Sequence, residues 1–130
     1  MGSGKNVLIV DDMLISRILV KKVLDRLGFP VVGEAANGNE ALSLYRLLQP
    51  DLVIMDLSMP EMGGMSAIKE IIKMDPDAYI IVYTAMDQHD IVVSAIQAGA
   101  RDYIVKPVKT ERIISALTRA ADRPGRRPLV

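Results

Sequence analysis

Asp51-Leu52-Val53-Ile54-Met55-Asp56-Leu57-Ser58-Met59-Pro60 places four consecutive apolar residues between two carboxylates. No polar residue alternates with them, so Leu52 to Met55 has no face for water. It reads as a strand covered on both sides, as in a parallel sheet flanked by helices. The same kind of run occurs at Asn6-Val7-Leu8-Ile9-Val10, followed by Asp11-Asp12, and at Tyr79-Ile80-Ile81-Val82-Tyr83, followed by Thr84. Shorter runs stand at Val31-Val32 and at Tyr103-Ile104-Val105, the latter followed by Lys106-Pro107.

Helical patterns fill the gaps. Between Asp12 and Gly28, residues Ile15, Leu19, Val20, Val23, Leu24 and Leu27 share one side of a helical wheel, opposite Arg17, Lys21 and Asp25, and Gly28 suits the helix end. Similar stripes recur at Ala41, Leu44, Tyr45 and Leu48, at Ala67, Ile68, Ile71 and Ile72, and at Ile91, Val92, Ala95 and Ile96 ahead of Gly99. A fifth, Ile113, Ile114 and Leu117, is opened by Thr110 as N-cap, and Asn37-Gly38 reads as a turn before the second helix. Strict alternation of five strands and five helices, with short right-handed connections, predicts an open, doubly wound α/β sheet.

Composition limits what such a sheet can do. The chain has 130 residues, 16 Lys and Arg against 16 Asp and Glu, one His and no Cys. That is one domain, long enough to bury roughly 65 to 70% of its unfolded surface without disulfides. The missing Cys excludes a disulfide scaffold and a Cys-ligated zinc site. Balanced charge gives no basic field for nucleic acid, and no apolar run approaches the roughly 20 residues of a membrane span, so a cytoplasmic protein is expected. Met1-Gly-Ser-Gly-Lys5 lacks the full spacing of a phosphate loop and reads as a flexible end or cloning remnant. Asp122 to Val130, with two Pro, a Gly and three Arg, stops the last helix and reads as a flexible tail or linker stub.

In an open α/β sheet, ligands bind beyond the carboxyl ends of the strands. Asp11-Asp12, Asp56, Thr84 and Lys106-Pro107 all fall there. Singly, each has an ordinary explanation: Asp12 could cap a helix, Thr84 could end a strand and a loop Lys is usually solvated. As a set they do not, because three neighbouring carboxylates raise each other's pKa unless a cation compensates. Oxygen-only ligands without Cys point to a hard divalent ion, and Mg²⁺ uses one or two carboxylates, waters and a phosphate. Mg²⁺, an ammonium and a hydroxyl are together what phosphoryl transfer needs, since it relies on positioning and charge neutralisation.

The four motifs, Val7 to Asp12, Asp51 to Pro60 with Gly64, Thr84-Ala85 and Tyr103 to Pro107, resemble the receiver domain of bacterial two-component response regulators. The likeness covers residues 5 to 121, leaving 122 to 130 as the tail, and among subfamilies is most similar to the single-domain chemotaxis regulators of the CheY type. It implies a flavodoxin-like (βα)5 fold with a five-stranded parallel sheet in the order 2-1-3-4-5. By position it implies that Asp56 accepts phosphate from a histidine kinase, and that Asp11, Asp12, Asp56 and the Ser58 backbone carbonyl hold Mg²⁺, with Mn²⁺ as a substitute. Lys106 and Thr84 would contact phosphoryl oxygens, Tyr103 would be the switch aromatic paired with Thr84, Pro107 would follow a cis peptide, and Ser58 and Met86 would tune loss of phosphate. The implied partners are a sensor kinase (CheA-like in chemotaxis), the flagellar motor switch and a phosphatase. A monomer that does not bind nucleic acid or insert in membranes is expected, signalling rather than acting as an enzyme beyond its own phosphotransfer and dephosphorylation.

Other functions compete. A receiver taken from a longer transcriptional or enzymatic regulator has the same motifs. A haloacid-dehalogenase-type phosphatase also uses a strand-end Asp with Mg²⁺, but carries a second Asp where this chain has Ser58. A nucleotide or flavin binder would need a Gly-rich first loop in place of Asp11-Asp12. A binding module independent of phosphate is poorly motivated, because the acidic set is intact. His89 is read as a surface residue and Met55 as core, while Met59, Met62, Met65 and Met86 are read as flexible thioethers for a partner surface.

Overall fold

The computed structural model describes residues 4–107 and 109–122. Both terminal segments discussed above, Met1 to Ser3 and most of the 122 to 130 tail, lie outside the described residues. The order is β1(Val7–Val10), α1(Leu14–Leu27), β2(Val31–Ala35), α2(Gly38–Leu48), β3(Leu52–Met55), α3(Gly64–Met74), β4(Ile80–Thr84), α4(His89–Ala98), β5(Asp102–Val105) and α5(Thr110–Ala121). All strands are parallel, in the order β2-β1-β3-β4-β5. This is the doubly wound flavodoxin-like arrangement expected.

Strand pleating sends alternate side chains to opposite faces. Leu8, Val10, Val53, Met55, Ile80 and Val82 pack with α2, α3 and α4 through Ala41, Tyr45, Ala67, Ile68, Ile71 and Ala95. Val7, Ile9, Leu52, Ile54, Ile81 and Ile104 pack with α1 and α5 through Val20, Leu24, Ala116, Leu117 and Ala120. The unbroken apolar runs thus serve two cores at once.

Three local expectations need correction. β2 continues past Val32 to Ala35 because it is the sheet's edge, alternately half-buried and exposed. Gly33 within it faces α2: a Cβ there would meet Leu48 Cδ1 at 2.7 Å, so that side chain would have to shift. In α1, only Val20 and Leu24 of the expected stripe are buried, while Ile15 and Leu19 are 65% and 58% exposed beside exposed Met13 and Leu14. The polar residue Arg17 turns inward instead, donating to the Asp11 carbonyl at 2.6 Å and to Glu34 Oε1 at 2.9 Å. Finally, Thr110 is the first residue of α5, and extended Lys109 occupies its cap without a side-chain hydrogen bond. Asn37 does cap α2, accepting from the Glu40 N–H at 2.9 Å.

Candidate functional site

Register brings the strand ends together. Val10 pairs with Met55, and the Asp56 N–H donates to the Val10 carbonyl at 2.9 Å, so Asp11 and Asp56 emerge side by side. Thr84 pairs with Val105, and the Lys106 N–H donates to the Thr84 carbonyl at 2.8 Å. α3 starts hard against the same edge. A Cβ on Gly64 would lie 2.1 Å from the Asp56 carbonyl oxygen, so only glycine lets the helix approach.

Asp11, Asp12 and Asp56 each turn a carboxylate oxygen inward, all within 4.8 Å of one another; Asp11 and Asp56 are buried and Asp12 is exposed. Three hard oxygen donors, one open to solvent, suit a divalent cation that keeps some of its waters. Lys106 Nζ donates to Asp11 Oδ2 at 2.8 Å and to Asp56 Oδ2 at 3.5 Å. Burial alone would lift the Asp11 carboxyl. Hydrogen bonds from Lys106, Ser16 and the Met13 N–H outweigh it and hold the group below its ordinary value. Burial would likewise lower Lys106, yet Asp11 and Asp56 keep its ammonium above the usual range. Both groups are charged at neutral pH.

Ser58 is exposed, and its N–H donates to Asp56 Oδ1 at 3.1 Å. Thr84 is fully buried, with its hydroxyl oxygen 3.5 Å from the Met86 N–H. Tyr103, half-buried against the α2–α4 core, donates its hydroxyl to the Met86 carbonyl at 2.6 Å. Burial, with the charges of Asp87 and Asp56, pushes that phenol above its ordinary pKa. Thr84, Met86 and Tyr103 are therefore one connected unit. The Lys106–Pro107 peptide bond is cis. Met59, Met62, Met65 and Met86 are half-buried against the core rather than displayed, while Met55 is fully buried and His89 is exposed.

Two neighbours of Lys106 escaped the sequence reading. Ser16 Oγ accepts from its ammonium at 2.8 Å, and the Tyr83 ring centroid lies 4.9 Å from Nζ. Ser16 had a weak signal, standing one helical turn after Asp12 within an apolar stretch; Tyr83, just before Thr84, had none beyond its position.

A family model described as the response regulator receiver domain matches residues 7–118. The chain belongs to this family. Chemotaxis protein CheY of Thermotoga maritima is 51% identical to this receiver over 118 residues, 91% of this chain and 98% of that one. CheY of Bacillus subtilis is 48% identical over 113 residues, 87% and 94% of the two chains. Among solved structures, the CheX-CheY-BeF3-Mg complex from Borrelia burgdorferi matches with a TM-score of 0.85 at 29% identity, covering 88% of this receiver and 87% of that chain. The family assignment removes the phosphatase and flavin-binder readings. No helix among the described residues is long and apolar enough to cross a membrane.

Proposed function

We propose that this receiver, spanning residues 5 to 121, is a chemotaxis-type phosphoacceptor switch in which Asp56 takes a phosphoryl group from a phosphohistidine of a CheA-like sensor kinase. The observation that carries the proposal is the meeting of three carboxylates, one ammonium and one buried hydroxyl at the carboxyl edge of the sheet. Asp56 is the acceptor of the three. Asp11 is engaged by Lys106 at 2.8 Å and Met13 N–H at 2.9 Å, whereas the contacts of Asp56 are longer, at 3.1 and 3.5 Å. An oxygen of Asp56 bonds to phosphorus as the phosphorus–nitrogen bond breaks, and the bonding pair leaves on the imidazole nitrogen.

Asp11, Asp12, Asp56 and the Ser58 carbonyl would hold Mg²⁺ or Mn²⁺. Such an ion supplies positive charge against the carboxylates and the phosphoryl group. Lys106 neutralises a phosphoryl oxygen and Thr84 donates its hydroxyl to another. Ser58 and Met86, each two residues past a site group, set how readily water reaches the acyl phosphate. Because Tyr103 is tied to the loop that Thr84 begins, movement of Thr84 toward phosphate is felt at the ring and reshapes the face of α4, β5 and α5. That face addresses the motor switch or a CheX-type partner in the cytoplasm. The exposed apolar flank of α1, Leu14, Ile15 and Leu19, lies beside the site for the kinase.

Solution NMR with beryllofluoride, a phosphoryl mimic, tests both halves. Shifts at the Asp56 loops and across residues 87 to 121 are expected. Shifts confined to the loops would overturn the output face, and none at all would overturn the acceptor site.

A further inference from the structure

Lys106 carries its charge on a flexible four-carbon stem, with three N–H donors to place. One goes to Asp11 at 2.8 Å and the third reaches Asp56 only at 3.5 Å. Left to its charges alone, the ammonium would sit on Asp11. Beside it a shallow recess of about 240 Å³, lined by Met13, Ile15, Leu19 and Pro107, offers the aliphatic stem another resting place.

Two uncharged groups oppose those alternatives. Ser16, half-buried on α1, accepts from Nζ at 2.8 Å. Tyr83, half-buried on the α1 face of β4, lies with its ring centroid 4.9 Å from Nζ and forms part of the wall of the same recess. A cation over an aromatic face is attracted by the ring quadrupole, more strongly where solvent is partly excluded. The hydroxyl and the ring therefore hold the ammonium without adding charge to the acidic cluster.

We propose that Tyr83 and Ser16 are positioning residues for Lys106, seating its ammonium between Asp11 and Asp56 so that it meets the phosphoryl group as the bond to Asp56 forms. The inference deepens the phosphoacceptor reading and rests on it. With acetyl phosphate as donor, Asp56 oxygen bonds to phosphorus and acetate leaves with the bonding pair, so the step needs no proton. Ser16 and Tyr83 touch neither reactant: Tyr83 acts through Lys106, and Ser16 through Lys106 and the Asp11 carboxylate to which it also hydrogen-bonds.

The test compares wild type with Tyr83→Leu, Tyr83→Phe and Ser16→Ala by two readouts. In the unphosphorylated protein, the Lys106 ε-methylene protons should show nuclear Overhauser contacts with the Tyr83 ring and an upfield ring-current shift, kept in Tyr83→Phe and lost in Tyr83→Leu. With acetyl phosphate and Mg²⁺, labelling should slow about five- to tenfold in Tyr83→Leu and about threefold in Ser16→Ala, with most of the loss recovered in Tyr83→Phe. Absence of the ring contacts in the wild type would overturn the inference even if the leucine variant did not fold. So would equal rates in Tyr83→Leu and Tyr83→Phe while the wild type labels normally. A wild type that takes no phosphoryl group would instead overturn the reading beneath it.

Discussion

β5 carries a charge cluster at each end, and the two are built in opposite ways. Beyond its carboxyl end, Lys106 faces Asp11, Asp12 and Asp56: three carboxylates against one ammonium leave two negative charges in surplus. At its amino end, Asp102 meets two guanidinium groups, Arg112 at 2.8 Å and Arg119, and also accepts from the Tyr103 N–H at 3.0 Å. There the single carboxylate is fully matched within the chain, and the surplus positive charge, on Arg119, is in solvent. Both clusters are well hydrogen-bonded, so bonding alone does not separate a site from a staple. Charge balance does. One end has room for a cation from outside, and the other needs none, although Arg112 Nη1 is buried there without a hydrogen-bond partner among the described residues.

The largest expected difference is in the response to metal. A ligand that binds only the folded state stabilises it by about 2.7 kcal/mol at a hundredfold excess over its Kd. Mg²⁺ should raise the melting temperature of the wild type accordingly. Asp12→Ala should lose most of that gain and Asp102→Asn should keep all of it. Equal responses in wild type and Asp12→Ala would move the metal elsewhere.

Next comes the stability of the matched cluster. Burial would raise the Asp102 carboxyl, but Arg112, Arg119 and the Tyr103 N–H outweigh it and hold it below its ordinary value. A carboxyl with a lower pKa in the folded chain stabilises fully above its unfolded value of about 3.9, and that contribution drains away as pH falls through the folded value. Asp102→Asn should therefore cost about 1 to 2 kcal/mol near neutral pH, allowing for screening of the half-exposed arginines. Denaturant melts at falling pH should show the gap closing; a gap independent of pH would contradict the ionic role.

The smallest effect has the opposite sign. In chelator, Asp12→Ala should gain about 0.5 to 1 kcal/mol, because it relieves repulsion among carboxylates that Lys106 compensates only in part. A loss of stability would mean that Asp12 is structural.

Much of this was legible in the order of residues. β1, β3 and β4 show as unbroken apolar runs because both faces are buried, and each ends in a polar residue that parallel register carries to one edge. β2 was half missed because an edge strand alternates and its β-branched run ends at Val32, before Gly33-Glu34-Ala35. The exposure of Ile15 and Leu19 was hidden because a helical wheel gives a stripe without saying how far the helix rolls on its sheet. The charged members of the site stand out because carboxylates at strand ends are costly without a purpose. Ser16 and Tyr83 do not stand out: a hydroxyl on a helix and an aromatic in a strand are ordinary until three-dimensional packing sets an ammonium between them. The buried bond from Tyr45 to Asp75, at 2.6 Å, is equally silent across thirty positions of sequence.

A negative surplus built to receive a phosphoryl group should take it on one particular carboxylate. Acetyl phosphate and Mg²⁺, followed by borohydride, convert a phosphorylated aspartate to homoserine, which peptide mass spectrometry can locate. One converted residue is expected, at position 56, absent in Asp56→Asn and absent when EDTA is present from the start. Conversion at position 11 or 12, or labelling that persists in Asp56→Asn, would contradict it.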